Sequence, residues 1–341
     1  MKNSLPLLMT MGDPNGVGPE ICAALLKLKL KVSRPLAIVG DFDVALSAFA
    51  LRGVQREAVL VETPEDAAKA CELGMVPVLE GGTKFSEKLQ PGRVTKKAGM
   101  ASIGWVRYAT ELCLANRAAA IVTAPLCKEA VEKTVPGFQG HTEYIGEMCG
   151  DPRPVLCLYH KDWAVAHVST HVSLREACDR VKKERLLKTA TLLNEFLKRT
   201  KGVERPRLGI AGLNPHAGEG GLFGDEEIRE IIPAVKEMRR KKIDATGPLP
   251  GDVVFPQMRS GRFDGVVAMY HDQGHVVTKT LLFDLGKSRK TSGVNTTLGL
   301  PVIRTSVDHG TGFDIAWQGE ADAHSLKDAL ELADILARGK K

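Results

Sequence analysis

Residues 5–20 read LPLLMTMGDPNGVGPE, an apolar run that leads through a glycine-rich turn into the first residues of a helix. Glycines let the backbone approach a ligand closely, and the start of a helix offers unpaired N–H groups to an anion. The stretch therefore predicts either a ligand-binding turn or a plain tight connection between strand and helix, and by itself it leaves both open.

The same alternation continues along the chain, because short β-type runs precede longer helical patterns. This order favours α/β layers with a largely parallel sheet. The predicted strands are Leu5–Thr10, Leu36–Val39, Ala119–Thr123, Val155–Tyr159, Ala164–Ser169, Arg207–Gly212, Gly265–Met269 and Val302–Thr305. The predicted helices run from Lys96 to Asn116, from Ser173 to Gly202, where Ser173 and Glu176 form a capping box, and from Asp225 to Lys241.

Composition limits the class of protein. With 341 residues, 43% hydrophobic and 26% charged, the chain can bury a large core and is expected to form two domains. The run from Leu5 to Met11 is too short for a membrane span and lacks the layout of a secretory signal, so we expect a cytoplasmic protein. Seven cysteines without a C-x-x-C pair fit reduced thiols.

The net charge and the aromatic content indicate which ligands the protein could bind. A net charge of +6 suits anions such as phosphates and dinucleotides. Only 5% of the residues are aromatic, which leaves little to stack on bases, so neither nucleic acid nor a membrane is an expected partner.

Histidines follow three of the predicted strands. His171, His216 and His271 each lie at a carboxyl end, where α/β sheets expose functional side chains. Converging imidazoles would suit a divalent metal, but spacings of 45 and 55 residues carry no local signature, so structural histidines stay an alternative. Asp252 and Asp272 could be further ligands, orienting groups or proton acceptors, and Asp252 could instead cap a helix.

Other polar residues suit an anionic ligand. GHTEY places His141 and Thr142 at a predicted helix start, where they could hold a carboxylate or phosphate, or Thr142 could simply cap the helix. The polar segments 295–301 and 304–314 are typical of a ligand loop. Lys279 and Arg304 add fixed positive charge, and an arginine can grip a phosphate through two parallel hydrogen bonds.

Taken together, these motifs resemble the 4-hydroxythreonine-4-phosphate dehydrogenase family of vitamin B6 biosynthesis, over nearly the whole chain. The matching stretches are MGDPNGVGPE, GHTEY, STHVSLR, GLNPHAGEGGLFGDEE, YHDQG and NTTLGLPVIRTSVDHGT. GDPNGVGPE and HGTGFDIA are also similar to segments of isocitrate and isopropylmalate dehydrogenases, whose fold has two α/β domains around a central cleft. We expect one domain of residues 1–128 and 299–341 and a central one of residues 129–298 that holds the metal ligands and the dimer interface.

The resemblance implies a role for each matching residue. His171, His216 and His271 would bind a divalent metal (zinc, cobalt, magnesium or manganese) in a site completed across a homodimer interface. His141 and Thr142 would bind substrate, and Lys279, Asn295 and Arg304 would hold its phosphorylated part. The loop from Asp308 to Asp314 would lie against the adenosine of NAD or NADP through Asp308, His309, Gly310, Thr311 and Asp314.

The implied reaction is the oxidation of 4-phosphohydroxy-L-threonine to the 3-keto acid, followed by decarboxylation to 3-amino-2-oxopropyl phosphate. The metal would lower the pKa of the substrate hydroxyl as hydride leaves for the nicotinamide, and would then stabilise the enolate formed when carbon dioxide departs. Asp252 and Asp272 are the candidates for the proton acceptor, and Lys279 is a further catalytic candidate.

Several residues depart from the common family pattern. The segment from Thr280 to Val294 is longer and includes Lys287, Ser288, Arg289 and Lys290, Gly312 and Trp317 stand where alanine and glycine are usual, and His275 adds an imidazole. The substrate could therefore instead be D-threonate or D-erythronate 4-phosphate. A phosphate acyltransferase of the same fold would need no histidine triad, and a basic ligand-binding or nucleic-acid-binding protein would show salt-sensitive affinity.

Overall fold

The computed structural model describes residues 5–151, 153–282 and 293–338. These residues form two compact units: residues 5–151, 153, 293–295 and 300–338 make up the first, and residues 154–282 and 296–299 the second. The chain leaves the first unit after Arg153, later than the crossing expected near residue 128, and each unit is an α/β layer structure.

The first unit contains a parallel sheet. Its strands, in the order in which they pair, are β3 (Ala58–Val61), β4 (Val76–Leu79), β2 (Leu36–Val39), β1 (Leu7–Thr10), β5 (Ala120–Thr123) and β12 (Arg304–Val307). Its helices are α1 (Gly18–Leu25), α2 (Phe42–Arg52), α3 (Pro64–Glu72), α4 (Lys96–Leu114), α5 (Lys128–Glu132), α6 (His141–Met148) and α12 (His324–Ala337). All of β1 and β5 is buried, as expected of parallel strands covered on both faces.

The second unit has a mixed sheet with strand order β6 (Val155–His160), β7 (Trp163–His167), β10 (Gly265–Ala268), β8 (Arg207–Ala211) and β9 (Asp244–Leu249). Only β6 and β7 in this set pair antiparallel. Its helical segments are α7 (Leu174–Asp179), α8 (Lys183–Lys201), a 3-10 segment (Pro215–Gly221), a π-helix (Glu227–Ile231), α9 (Ile232–Arg240), α10 (Gly251–Arg259) and α11 (His271–Leu282). Strand β11 (Val294–Leu298) begins in the first unit and ends in the second.

Local sequence explains several helix ends. The Thr95 hydroxyl accepts a hydrogen bond from Ala98 N at 3.2 Å, so α4 begins as predicted. The Ser173 hydroxyl caps α7 through Glu176 N, and left-handed Gly202 ends α8. The prediction of one helix between these ends is wrong, because Lys182 adopts an extended conformation and Val181 turns into the core, only 1% exposed.

In the part of the chain that the structure describes, no helix is long and apolar enough to cross a bilayer. All seven cysteines are free thiols. The α/β class predicted from the sequence is confirmed.

Candidate functional site

A buried guanidinium lies in the first unit. Arg304, at the start of β12, is 3% exposed, and its Nη2 donates to Thr123 Oγ1 at 3.0 Å. Its Nη1 lies 3.4 Å from Thr142 Oγ1 and from Asn295 Oδ1. Burial lowers the pKa of Arg304 to about 10, although the Glu143 carboxylate acts in the opposite direction. Because buried charge is stable only beside acceptors or an anion, this arrangement suits a negatively charged ligand.

The start of α6 adds to this group. Thr142 lies in the first turn of the helix and makes no capping hydrogen bond, so the capping alternative is wrong. His141 Nε2 is buried and has no hydrogen-bond partner in the described residues. Burial, then the charges of Arg304 and Lys128, hold the pKa of His141 well below its usual value. A neutral imidazole at a helix start, beside an arginine, can hydrogen-bond an anionic ligand.

We call Thr123, His141, Thr142, Asn295 and Arg304 the anion pocket. The structure thus brings together four of the residues predicted to bind substrate and adds Thr123, which sequence patterns did not single out. The fifth predicted substrate residue, Lys279, lies on α11 in the second unit.

Two loops of the first unit pack together where the dinucleotide site was predicted. Val17 N donates to Thr311 O at 2.9 Å, and the Trp317 indole N–H donates to Pro14 O at 2.9 Å. A Cβ on Gly16 would lie only 2.9 Å from Thr311 O, so glycine is required for this close approach. The turn of residues 12–18 and the loop of residues 308–314 are named the nucleotide loops.

Asp13 lies inside the turn and is 0% exposed. Its Oδ1 accepts a hydrogen bond from Asn15 N at 2.9 Å, and its Oδ2 has no partner in the described residues. Burial raises the pKa of Asp13 to about 6, although backbone N–H groups of Asn15 and Cys127 act to lower it.

The three predicted metal ligands follow neighbouring strands of the second unit. Strands β7, β10 and β8 are adjacent and parallel, so their carboxyl ends share one edge. The rings of His171 and His271 have centroids 5.7 Å apart. His216 instead contacts Phe223, at 6.1 Å between ring centroids. Among the described residues no three His, Cys, Asp or Glu side chains of this single chain are placed to hold one ion.

His271 is oriented by its neighbour. Its Nδ1 lies 2.6 Å from Asp272 Oδ1, so Nδ1 donates to the carboxylate and leaves Nε2 as an acceptor. Carboxylates orient metal-binding histidines in this way. Asp252 lies exposed in the first turn of α10 and makes no side-chain capping bond, so the capping alternative does not hold for it.

Two further histidines lie beside His271. His275 stacks on it with centroids 3.7 Å apart and an interplanar angle of 9°, and His167 lies 4.8 Å from His275. Burial, then the neighbouring His271, lowers the pKa of His275 to about 4, and burial holds the pKa of His167 well below its usual value. We call His167, His171, His271 and His275 the histidine cluster. The spacing of four between His271 and His275 was its visible signal in the sequence.

The loop that carries His216 has an unusual backbone. His216, Ala217 and Glu219 adopt left-handed φ values of 53°, 54° and 43°, a conformation that is uncommon outside glycine. Backbone strain of this kind is often found at functional sites.

Glu227, 2% exposed at the start of the π-helix, holds the beginning of this loop. Its Oε1 accepts from the backbone N–H groups of Leu213 and Asn214 at 2.7 and 2.8 Å, and its Oε2 accepts from Asn214 Nδ2 at 2.8 Å. Gln273 links the ends of β10 and β8, since it accepts from Met269 N and donates to Gly212 O. The sequence patterns singled out neither Glu227 nor Gln273.

Comparisons with a family model and with named relatives indicate the same protein family. The family model described as pyridoxal phosphate biosynthetic protein PdxA matches residues 31–333. A 4-hydroxythreonine-4-phosphate dehydrogenase of Beijerinckia indica is 42% identical over 97% of this chain and 95% of its own. A D-threonate 4-phosphate dehydrogenase of Pectobacterium atrosepticum is 40% identical over 97% of this chain and 99% of its own.

Solved structures of similar proteins support the same family and fold. The crystal structure of 4-hydroxythreonine-4-phosphate dehydrogenase from Klebsiella pneumoniae has a TM-score of 0.81 at 40% identity and covers 98% of this chain and 100% of its own. A beta-decarboxylating dehydrogenase from Thermococcus kodakarensis, at 10% identity and a TM-score of 0.50 over 97% of this chain and 82% of its own, is similar in fold alone.

Proposed function

Because the chain belongs to the family of the pyridoxal phosphate biosynthetic protein PdxA, we propose that it oxidises 4-phosphohydroxy-L-threonine with NAD to the 3-keto acid, which loses carbon dioxide to give 3-amino-2-oxopropyl phosphate. The relatives are named dehydrogenases, which confirms the predicted class of enzyme and implies a nicotinamide cofactor. The single observation that carries the substrate class is the buried Arg304 with its polar neighbours.

The anion pocket binds the phosphate of the substrate. Arg304 supplies two donor nitrogens, and the hydroxyls of Thr123 and Thr142 hold the guanidinium in one orientation. Hydrogen bonds to charged groups contribute about 1.5–3 kcal/mol each, so the pocket favours a phosphate ester over a neutral group. The start of α6 at His141 adds the partial positive charge of a helix N-terminus.

The nucleotide loops bind NAD or NADP. Gly16 lets the turn approach the loop at Thr311, and Asp308, His309, Gly310 and Asp314 lie on the same loop. A nicotinamide cofactor held by these loops would supply the acceptor for the hydride that leaves the substrate carbon. Trp317 also holds the turn through its bond to Pro14 O.

The histidine cluster supports a divalent ion. The donor chemistry fits, because His271 presents Nε2 with Nδ1 tied to a carboxylate and His171 lies beside it. A divalent ion there supplies positive charge to a substrate oxygen during oxidation and decarboxylation. Asp272 orients His271, and Asp252, exposed in the first turn of α10, stays a candidate for the proton acceptor. Lys279 lies two helical turns beyond His271 on the same face of α11 and adds positive charge.

The site is completed in a homodimer, with His216 as the third predicted ligand. Several large apolar side chains of the second unit are exposed, and a homodimer interface would bury apolar surface of this kind. They are Leu174, Leu222, Phe223, Ile228 and Val276, which are 62%, 74%, 48%, 48% and 62% exposed.

A second candidate substrate is D-threonate 4-phosphate, favoured by the relative of Pectobacterium atrosepticum. It shares the carboxylate, the oxidised hydroxyl and the phosphate with the first candidate but carries a hydroxyl in place of the amine. The segment that distinguished this chain from the common pattern, Lys287, Ser288, Arg289 and Lys290, lies outside the described residues.

The deciding experiment compares kcat/KM for 4-phosphohydroxy-L-threonine, D-threonate 4-phosphate and D-erythronate 4-phosphate, followed by NADH absorbance. A preference above about tenfold, or ~1.4 kcal/mol, assigns the substrate. Unphosphorylated D-threonate serves as the control for the anion pocket. Equal turnover of the phosphorylated and unphosphorylated acids would reject the role given to Arg304.

A further inference from the structure

A segment of the first unit that belongs to neither nucleotide loop packs against both of them. Residues 87–95 lead into α4, and Gly92 N donates to the Asn15 carbonyl at 2.9 Å. Gly92 is left-handed, with a φ of 71°, and a Cβ on it would lie 2.8 Å from Phe313 O. Asn15 belongs to the turn of residues 12–18, and Phe313 belongs to the loop of residues 308–314. The backbone at Gly92 therefore contacts both nucleotide loops.

The side chain of Asn15 fastens this segment to the turn. Asn15 is 0% exposed, and its Oδ1 accepts a hydrogen bond from Gln90 N at 2.8 Å. Its Nδ2 donates to Arg93 O at 3.2 Å and lies 3.4 Å from Thr95 Oγ1. Arg93 N in turn donates to Gln90 O at 3.0 Å. The backbone of Arg93 is thus held through both its N–H and its carbonyl group, beside the nucleotide loops.

The charges of the nucleotide loops do not match a dinucleotide by themselves. The loops contain Asp13, Asp308 and Asp314 but neither lysine nor arginine. A dinucleotide carries phosphates in its diphosphate bridge, and NADP carries a further phosphate on a ribose. Carboxylates can accept hydrogen bonds from ribose hydroxyls, but they repel phosphates. A cation from a neighbouring segment would therefore complement the phosphates.

Residues 87–95 supply such a cation. Lys88 and Arg93 are both exposed, and the Glu87 carboxylate accepts a hydrogen bond from the Thr95 hydroxyl at 2.6 Å. Within the part of the chain that the structure describes, the guanidinium of Arg93 has neither a hydrogen bond nor an ion pair. An arginine can grip a phosphate through two parallel hydrogen bonds, whereas a lysine offers only a point charge. Arg93 is therefore the better phosphate ligand of the two.

We propose that residues 87–95 form a third part of the dinucleotide site and that Arg93 binds a phosphate of the cofactor. This inference rests on the proposed binding of NAD or NADP at the nucleotide loops. The phosphate belongs either to the diphosphate bridge, which both cofactors share, or to the ribose of NADP alone. In the second case Arg93 also selects NADP over NAD.

The test measures the dissociation constants of NAD and NADP for the full-length protein by isothermal titration calorimetry, at several NaCl concentrations. Arg93→Gln removes the charge, and Arg93→Lys keeps the charge without the paired donors. Arg205→Gln is the matched control, because Arg205 is an exposed arginine of the second unit and its loss changes the net charge equally. Thermal unfolding of each variant shows whether its fold is intact.

We expect Arg93→Gln to bind at least about tenfold more weakly, as the loss of a hydrogen bond to a charged group predicts. Weaker binding of both cofactors assigns Arg93 to the diphosphate, and weaker binding of NADP alone assigns it to the ribose phosphate. Arg93→Lys should lie between Arg93→Gln and wild type, and Arg205→Gln should match wild type. The affinity of Arg93→Gln should also depend less on salt than that of wild type, because one screened charge contact is gone.

Unchanged affinity of Arg93→Gln for both cofactors would overturn this inference alone. An equal loss of affinity in Arg205→Gln, or a loss in Arg93→Gln that leaves the salt dependence unchanged, would also overturn it, since neither result fits a direct contact with a phosphate. If the wild-type protein binds neither NAD nor NADP, the proposed dinucleotide site fails together with the inference.

Discussion

Removing the Glu227 carboxylate should destabilise the loop that carries His216. Glu227→Ala deletes the acceptor of three hydrogen bonds, two from backbone N–H groups of Leu213 and Asn214 and one from Asn214 Nδ2. Losing a buried acceptor costs about 1–3 kcal/mol per unsatisfied donor, and these donors are only partly buried. We therefore expect the free energy of unfolding to fall by about 3 kcal/mol. Glu227→Gln keeps one oxygen for the backbone donors but sets an N–H group against Asn214, so about half of that loss is expected.

The assay is urea unfolding, together with the Co(II) affinity of the folded protein. Glu219→Ala and Glu219→Gln are matched controls, because Glu219 lies exposed in the same loop, and changes within about 0.5 kcal/mol are expected there. Weaker Co(II) binding in Glu227→Ala is also expected, since the loop presents His216. A Glu227→Ala protein as stable as the Glu219 variants would refute the role assigned to this carboxylate.

Three further outcomes are expected. Arg304→Lys keeps the positive charge but loses the guanidinium group that can donate two parallel hydrogen bonds. The KM for the phosphorylated substrate should therefore rise by about tenfold or more, while the KM for NAD stays constant. An unchanged KM for the substrate would show that Arg304 does not bind it. Because burial raises the folded-state pKa of Asp13 to about 6, its stabilising contribution is full below the unfolded value near 3.8 and is lost as pH rises through 6. In urea unfolding, the free energy of unfolding of Asp13→Asn relative to wild type should therefore rise by up to about 3 kcal/mol from pH 4 to pH 8. A difference between the two proteins that stays constant over this pH range would contradict the reasoning. Gly16→Ala should raise KM for NAD, because its Cβ would lie 2.9 Å from Thr311 O, whereas Gly251→Ala, with its nearest neighbour at 3.5 Å, should not.

Sequence patterns predicted the features that depend on local chemistry. The apolar run and turn at residues 5–20 became β1 and the start of α1, and Ser173 and Gly202 lie where a cap and a stop were expected. Strands β3, β4, β9 and β11 were missed. β4 and β9 each contain a proline, which is unfavourable in a strand, and only pairing with neighbouring strands makes these segments extended.

Only part of the candidate site was predicted, because some of its residues come together only through the pairing of strands. Arg304 and His141 belong to recognisable motifs, whereas Thr123 joins them only because β5 pairs with β12. His167 meets α11 only because β7 pairs with β10 and residue 274 is glycine. The α/β fold, the family and the class of enzyme are confirmed. The metal, the choice of NAD or NADP, the homodimer and the domain boundaries stay predictions.

The most direct measurement follows NADH formation in a single turnover with 4-phosphohydroxy-L-threonine or D-threonate 4-phosphate, before and after removal of divalent ions by a chelator. We predict a burst of NADH with the metal-loaded enzyme, its loss in chelator, and its return when Zn(II) or Co(II) is added back. The same burst in chelator-treated protein, or no burst with either acid in the metal-loaded enzyme, would contradict a metal-dependent dehydrogenase built on His171, His216 and His271.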